Sequence, residues 1–201
     1  MFIVLEGLDG AGTTTQTQLL AEALRSQGRT VITTREPSDG PLGTLLRQAL
    51  NGRLRLPDGS PVRPETIALW FATDRTDHLA STVEPAVAAG TIVISDRYVL
   101  SSIAYQSVEC DAVWVNAINR MARPADLTIF VDVPVDECVR RISERGRPRD
   151  SFENHTFLEK VYAGYHAGLN LSDQNVRMVD GFRPVDVVAS DILAAVTAAM
   201  A

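Results

Sequence analysis

The chain has 201 residues, 45% apolar and 22% charged, with a formal net charge of −6. That suits a globular domain with its own core, and the acidic balance argues against nucleic-acid binding through bulk electrostatics. Cys110 and Cys138 form neither a CxxC nor a metal-ligand spacing, no apolar run reaches membrane-spanning length, and no leader precedes a first strand that starts at residue 2, so a cytoplasmic protein with reduced thiols and no membrane partner is expected.

Phe2 to Leu5 is an apolar, β-rich run of the kind that forms a buried strand. Gly7, Gly10 and Gly12 follow within six residues. From Thr14 to Gln27 the apolar positions Leu19, Leu20, Ala23 and Leu24 recur at helical spacing, and Gly28 ends the helix. Strand, glycine-rich turn and helix in that order present backbone N–H groups and a helix N-terminus to a phosphate. The segment nearly matches G-x-x-x-x-G-K-[ST]. Gly7, Gly12 and Thr14 fit, but Thr13 stands where the lysine belongs. Lys160 is the one lysine among 19 basic residues, so cation duty falls almost wholly on arginine.

Thr30 to Thr34 reads as a second strand. Its end carries Arg35-Glu36-Pro37 and a turn cluster from Ser38 to Pro41, and strand ends are where open α/β sheets bind ligands. Leu42 to Asn51 reads as a short helix. Residues 52–64, rich in Gly, Pro and Arg, read as a surface excursion. Pro64 and Glu65 open a long helix on which Phe71 and Arg75, four apart, share a face. An aromatic ring and a cation together suit a planar base with carbonyl acceptors. Pro85 fits the first turn of a further short helix ending at Gly90.

Thr91 to Ser95 is a third buried strand, ending in Asp96-Arg97-Tyr98. In a P-loop protein an acid at this point faces Mg²⁺ and the phosphates, and an arginine beside it can pair phosphate oxygens bidentately. Ser101 to Gln106 opens one helix, and Asp111 to Met121 forms another. Leu127 to Val133 is a fourth strand, and Val135 to Ser143 a helix with two acids in its first turn. Arg145, Arg147 and Arg149 then alternate with Gly146 and Pro148, as in a lid that closes over phosphates, here about 145–152. Phe152 to Leu169 is helical, Val176 to Val179 the last strand, and Pro184 to Met200 the final helix. The order βαβα(α)βαβαβα predicts an α/β, P-loop NTPase-like fold. It is a doubly wound five-stranded parallel sheet with helices on both faces, in a single domain over residues 1–201. His78, His155 and His166 show no triad or metal pattern and read as structural or solvated.

Taken singly, each feature has a plainer reading. These are a tight βα turn, a solvated charge at Arg35 or Asp96, a core Phe71 beside a surface Arg75, and a solvated arginine run. In order they resemble the thymidylate kinase family over nearly the full length. GLDGAGTTTQ is similar to its P-loop, TREPSDGPLG to its Arg-Glu-Pro segment, and LWFATDRTDH to its base-binding helix. SDRYVLSSIAYQ is similar to its Asp-Arg-Tyr/His segment and RISERGRPRD to its lid.

The resemblance implies transfer of the γ-phosphoryl group of ATP to dTMP. It implies that Gly7, Asp9, Gly10, Ala11, Gly12, Thr13, Thr14 and Thr15 hold the ATP phosphates. Arg141 and Arg183, the latter in the segment Asp180 to Arg183, would serve the adenine side. Asp9 would contact the sugar 3′-OH, Phe71 would stack on thymine, and Arg75 would bond its carbonyl edge. Arg35 and Arg97 would hold the dTMP phosphate, Tyr105 would crowd the sugar C2′, and Ser102 and Gln106 would complete the base pocket. Thr14 and Asp96 would serve Mg²⁺. Gly10, where some relatives carry Arg, fits the arrangement in which the lid arginines Arg145, Arg147 and Arg149 act with Asp9 and Arg97 in catalysis. A homodimer is implied by the family alone. Two other readings stay open: another P-loop nucleoside or nucleotide kinase, and a nucleotide-binding homologue weakened by Thr13.

Overall fold

The computed structural model describes residues 1–144, 155–171 and 175–200. Among them, β1 (Phe2–Glu6), β2 (Val31–Arg35), β3 (Ile92–Asp96), β4 (Leu127–Asp132) and β5 (Val176–Asp180) form one parallel sheet in the order β2-β3-β1-β4-β5. β1 lies at its centre and is buried throughout, which is why its sequence runs apolar without alternating. Its side chains still divide by parity. Ile3 and Leu5, with Ile92 and Ile94, join Leu20, Leu24 and Ile192 in one cluster, whereas Phe2, Val4 and Val93 join Leu79, Val83 and Tyr98 in another. The edge strands β2 and β5 are more exposed.

The helices are α1 (Thr13–Ser26), α2 (Pro41–Leu50), α3 (Pro64–His78), α4 (Glu84–Ala88), α5 (Val99–Gln106), α6 (Ala112–Ile118), α7 (Val135–Glu144), α8 (His155–Leu171) and α9 (Val185–Met200). α1 ends as its sequence dictates. Gly28 has φ +79°, its N–H reaches the Arg25 carbonyl, and the Arg29 N–H reaches that of Leu24. Asp111 caps α6 by accepting from the Trp114 N–H at 2.8 Å. α3 runs through a π-helical turn, Leu79–Val83, directly into α4. The helix expected around Pro85 is therefore a continuation of α3. The excursion over 52–64 carries a small antiparallel bridge between Arg55 and Pro61.

Two features of this frame place the site. The chain leaves β1 toward β2 but leaves its neighbour β3 toward β4, so the connections part and open a crevice at the strands' carboxyl ends. The register sets Leu5, Asp96 and Arg35 level there. On one face of the sheet α8 lies close against α5. A Cβ added at Gly164 would sit 3.0 Å from the Ala104 carbonyl oxygen, and one at Gly168 would sit 3.3 Å from Ile103 Cγ2. This approach lets Tyr165 of α8 reach the end of β1. Gly164→Val should therefore destabilise by about 1–3 kcal/mol, the usual range for overpacking. Tm should fall by roughly 2–4 °C per kcal/mol for a chain of this size. Thermal unfolding checks this, and an unchanged Tm contradicts the close α5–α8 contact.

Candidate active site

The loop after β1 has the conformation its glycines permit. Gly10 and Gly12 have φ of +90° and +95°, a region costly for residues with a Cβ. At Gly10 a Cβ would also lie 2.6 Å from the Cys138 carbonyl oxygen, so this backbone has no room for an arginine there. Gly12 then leads into α1, leaving the N-terminal N–H groups of that helix directed at the crevice. Leu8, Asp9, Gly10, Gly12, Thr13, Thr14, Thr15 and Arg97 line a cavity of about 350 Å³. Thr13 is almost fully buried. Arg97 is the cation among the described residues that lines this cavity.

Arg97 arrives from the end of β3 with an unusual backbone, φ +76° in a residue with a full side chain. Its guanidinium donates to the Asp9 carboxylate at 2.7 Å, the Gly7 carbonyl at 3.0 Å, and the hydroxyls of Ser101 and Tyr165, both at 3.1 Å. The Tyr105 ring lies beneath it, 5.2 Å away. Burial opposes its charge, but the oxygens of Tyr105, Asp9, Tyr165 and Asp96 outweigh that and hold the group protonated. Next to it the Thr14 hydroxyl donates to Asp96 Oδ2 at 2.5 Å. Asp96 Oδ1 is buried and has no hydrogen-bond partner among the described residues.

A second cavity, about 190 Å³, adjoins this one. Its lining includes Asp9 and Arg97 together with Glu36, Phe71, Arg75, Ser102, Tyr105 and Gln106. Arg75 is 1% exposed and held on every side. It donates to Glu36 at 2.8 Å, Ser102 Oγ at 2.9 Å, the Tyr98 carbonyl at 3.2 Å and the Asn119 side chain. His78 links Glu36 to Thr34 behind this pair. Asp74, the neighbour of Arg75, accepts from the Ser38 N–H at 2.7 Å and hydroxyl at 2.6 Å, fixing the turn after β2 onto α3. The Tyr105 ring forms part of the pocket wall, and its hydroxyl oxygen accepts from the Asp9 N–H at 3.0 Å. Burial raises its phenol well above the usual range. Gln106 is 7% exposed, and its Oε1 has no partner among the described residues.

A third cavity, about 150 Å³, lies on the far side of the loop between Gly10, Thr15, Gln16, Arg141, Gly181 and Arg183. Arg141 reaches the carbonyls of Ala11 and Gly181. It is steered by Glu137 at 2.6 Å, while Arg183 pairs with Asp191. Arg35 lies apart from all three. It is exposed and bound to Asp39 at 2.6 Å. Arg145, Arg147 and Arg149 lie outside the described residues.

Several residues that build the site gave little notice in the sequence. Glu6 is fully buried at the end of β1 and accepts from the backbone N–H groups of Tyr98 and Ser101 and from two hydroxyls. Its signal was a lone acid closing an apolar strand. Burial raises its pKa, against the hydrogen bond from Ser101 and the charge of Arg97, which lower it. Glu36 stands in the Arg35-Glu36-Pro37 segment at the end of β2, with nothing in the sequence to mark Arg75 as its partner. Asn119 and Tyr165 carried no local signal at all.

A glycine-rich loop feeding a helix N-terminus, an acid and an arginine at the next strand's end, and a parallel sheet with helices on both faces define a P-loop nucleotide-type phosphate-binding protein. A family model described as thymidylate kinase matches residues 5–192. A protein named probable thymidylate kinase from Thermococcus onnurineus is 38% identical over 98% of this chain and 97% of its own length. Thymidylate kinases of Thermomicrobium roseum and Methylobacillus flagellatus are 40% and 37% identical, over 99% and 96% of this chain and 95% and 94% of their own. The chain belongs to the thymidylate kinase family. Among the described residues no helix is long and apolar enough to cross a membrane.

Glu137 supplies a test on the third cavity. Hydrogen bonds from Arg140 and Arg141 hold its pKa down to about 2, below the ordinary 4.5. The stabilisation is therefore complete above the unfolded value and is lost as pH falls from about 4.5 to about 2. Glu137→Gln should flatten that part of the stability–pH curve and, by freeing Arg141, raise the KM for ATP more than that for dTMP. A Glu137→Gln curve parallel to the wild type through this window would contradict the pairing.

Proposed function

We propose that the chain transfers the γ-phosphoryl group of ATP to dTMP, giving dTDP and ADP. The observation that carries this reading is that Asp9 and Arg97 line both the phosphate cavity and the adjoining base-sized pocket. A donor phosphate on the loop and an acceptor phosphate from the pocket would meet at one guanidinium. Transfer between two phosphates needs positioning and charge neutralisation rather than a covalent nucleophile. The acceptor phosphate is itself the attacking group, so no general base is required.

Gly7 to Thr15 would cradle the donor phosphates with backbone N–H groups, and Arg141 and Arg183 would flank the adenine. Phe71 would stack on thymine. Arg75, its guanidinium already fixed by Glu36 and Asn119, would face the base carbonyl edge with little left to reorganise. Gln106 Oε1 is an acceptor left for a base N–H. Tyr105, held by Asp9, would occupy the room of a 2′-hydroxyl. Arg35 would have to leave Asp39 to reach the dTMP phosphate. The hard-oxygen pair Thr14 and Asp96, with one carboxylate oxygen unpartnered, fits Mg²⁺, which takes its remaining ligands from phosphates and water. When bound, that ion would neutralise phosphate charge. The lid arginines Arg145, Arg147 and Arg149 would supply further positive charge to the transferred group, and a closed lid would exclude water.

We further propose a single-domain, cytoplasmic homodimer with no nucleic-acid partner. α3 and α6 pack on one another and leave Leu69, Val113 and the following Met121 exposed, a surface suited to a second copy. The net charge of −6 speaks against polyanion binding.

An ADP-release assay tests the activity directly. dTMP should be preferred over dUMP, dCMP, AMP and thymidine, and preference for another acceptor, or no dTMP-dependent release, would reject the reading. Phe71→Ala should cost ~1–3 kcal/mol of stacking, raising the dTMP KM while leaving that for ATP near normal. Thr13 brings no charge where a P-loop lysine would, a deficit of ~3–4 kcal/mol if uncompensated. Replacing Arg145, Arg147 and Arg149 together by Ala should therefore lower kcat far more than it raises the dTMP KM. Thr13→Lys should partly restore it. Near-normal kcat in the triple variant would place the compensating charge elsewhere.

A further inference from the structure

Arg97 can meet both phosphates only if its backbone stays at φ +76°, a conformation that an arginine adopts only when its surroundings over-determine it. Hydrogen bonds on either side of it do so. The Arg97 N–H donates to the Leu5 carbonyl at 2.8 Å, and its own carbonyl accepts from the Ser95 hydroxyl at 2.8 Å. The very next N–H, that of Tyr98, donates to Glu6 Oε1 at 2.9 Å. The Ser101 N–H, in the first turn of α5, donates to the same oxygen at 3.1 Å, and the Ser101 hydroxyl donates to Oε2 at 2.5 Å. Tyr165, arriving from α8, donates to Oε2 at 3.2 Å and lies 3.0 Å from the Gly7 carbonyl.

We infer that Glu6 is a positioning residue for phosphoryl transfer: it caps α5 from the neighbouring strand and thereby fixes the Arg97 guanidinium over the loop after β1. α5 has no side-chain cap of its own at Tyr98, and an acid at a helix N-terminus is the group that end favours. The same helix carries Ser102, Tyr105 and Gln106, so one buried carboxyl sets the arginine and one wall of the acceptor pocket together. Glu6 touches neither cavity: it lines neither the phosphate site nor the base pocket. Its effect on the reaction passes through Tyr98, Ser101 and Tyr165. The inference rests on the reading of the site as one for transfer to dTMP.

The test compares Glu6→Ala and Glu6→Gln in the full chain, with dTMP and ATP varied separately. Glutamine keeps an Oε1 able to accept from the Tyr98 and Ser101 N–H groups, and its amide can donate to the two hydroxyls. Misplacement of a reacting group by about 1 Å costs on the order of a hundredfold in rate. Glu6→Ala should therefore lower kcat by about that factor and raise the dTMP KM, with the ATP KM held within roughly threefold. Glu6→Gln should regain most of the loss. Should Glu6→Ala fail to fold, Glu6→Asp, which draws the carboxyl back from the Tyr98 and Ser101 N–H groups while leaving every direct partner of Arg97 in place, should show the same kcat-weighted split at smaller size. A folded Glu6→Ala with unchanged kcat, or one that weakens ATP and dTMP alike, overturns the inference, as does a Glu6→Gln no better than Glu6→Ala. Wild-type protein that turns over no dTMP instead rejects the functional reading beneath it.

Discussion

The contact on which the site depends is that between the Arg97 guanidinium and the loop after β1. It joins two segments, Gly7 to Asp9 and Asp96 to Tyr98, that are far apart in sequence but leave adjacent strands. The 2.7 Å bond to Asp9 and the 3.0 Å bond to Gly7 hold the arginine against the phosphate cavity. Charge fixed in this way costs little reorganisation during reaction. The parallel order β2-β3-β1-β4-β5 makes the contact possible, since β1 and β3 are neighbours whose connections part.

A second fixed arginine shapes the acceptor side. Arg75 and Glu36 are 1% and 2% exposed and lie 2.7 Å apart. Ions this deeply buried must be fully satisfied, and loss of one partner typically costs about 3–5 kcal/mol. Here Asn119, Ser102 and the Tyr98 carbonyl also accept from the guanidinium, which leaves one Nη1 N–H without a protein partner among the described residues. Both arginines are thus held by acids from other elements, Asp9 and Glu36. A shared cavity wall then couples them, because Ser102 and Tyr105 sit on the helix that begins beside Arg97.

Much of this was legible in the sequence. Uninterrupted apolar strands, glycine stops and proline starts located each strand, and nearly each helix, within a few residues. Phe71 and Arg75, which their four-residue spacing puts on one helix face, do line one pocket. Asp96 and Arg97, at and just past the end of β3, meet Thr14 in the first turn of α1, as a strand end and a neighbouring helix N-terminus do in an open parallel sheet. What stayed hidden depends on tertiary approach. Tyr165 lies on a helix whose pattern signals only burial, and it reaches Gly7 because Gly164 and Gly168 let α8 close on α5. Asn119 ends a short helix with no motif around it. Glu6 stands beside the loop segment and Glu36 within the Arg-Glu-Pro segment, but their roles follow from which N–H groups and guanidinium face them. The continuation of α3 into α4 escaped because Pro85 reads as a start signal even where a π-helical turn carries the chain through.

The central claim is that donor and acceptor phosphates occupy one continuous site meeting at Arg97. A single molecule with adenosine and thymidine joined through their 5′ positions by a chain of five phosphates tests it most directly, by calorimetric titration. The account predicts one molecule bound per chain, more tightly than ATP or dTMP alone, with both displaced when it binds. Binding no tighter than ATP alone, with dTMP still able to bind beside it, would show that the two cavities do not form one site.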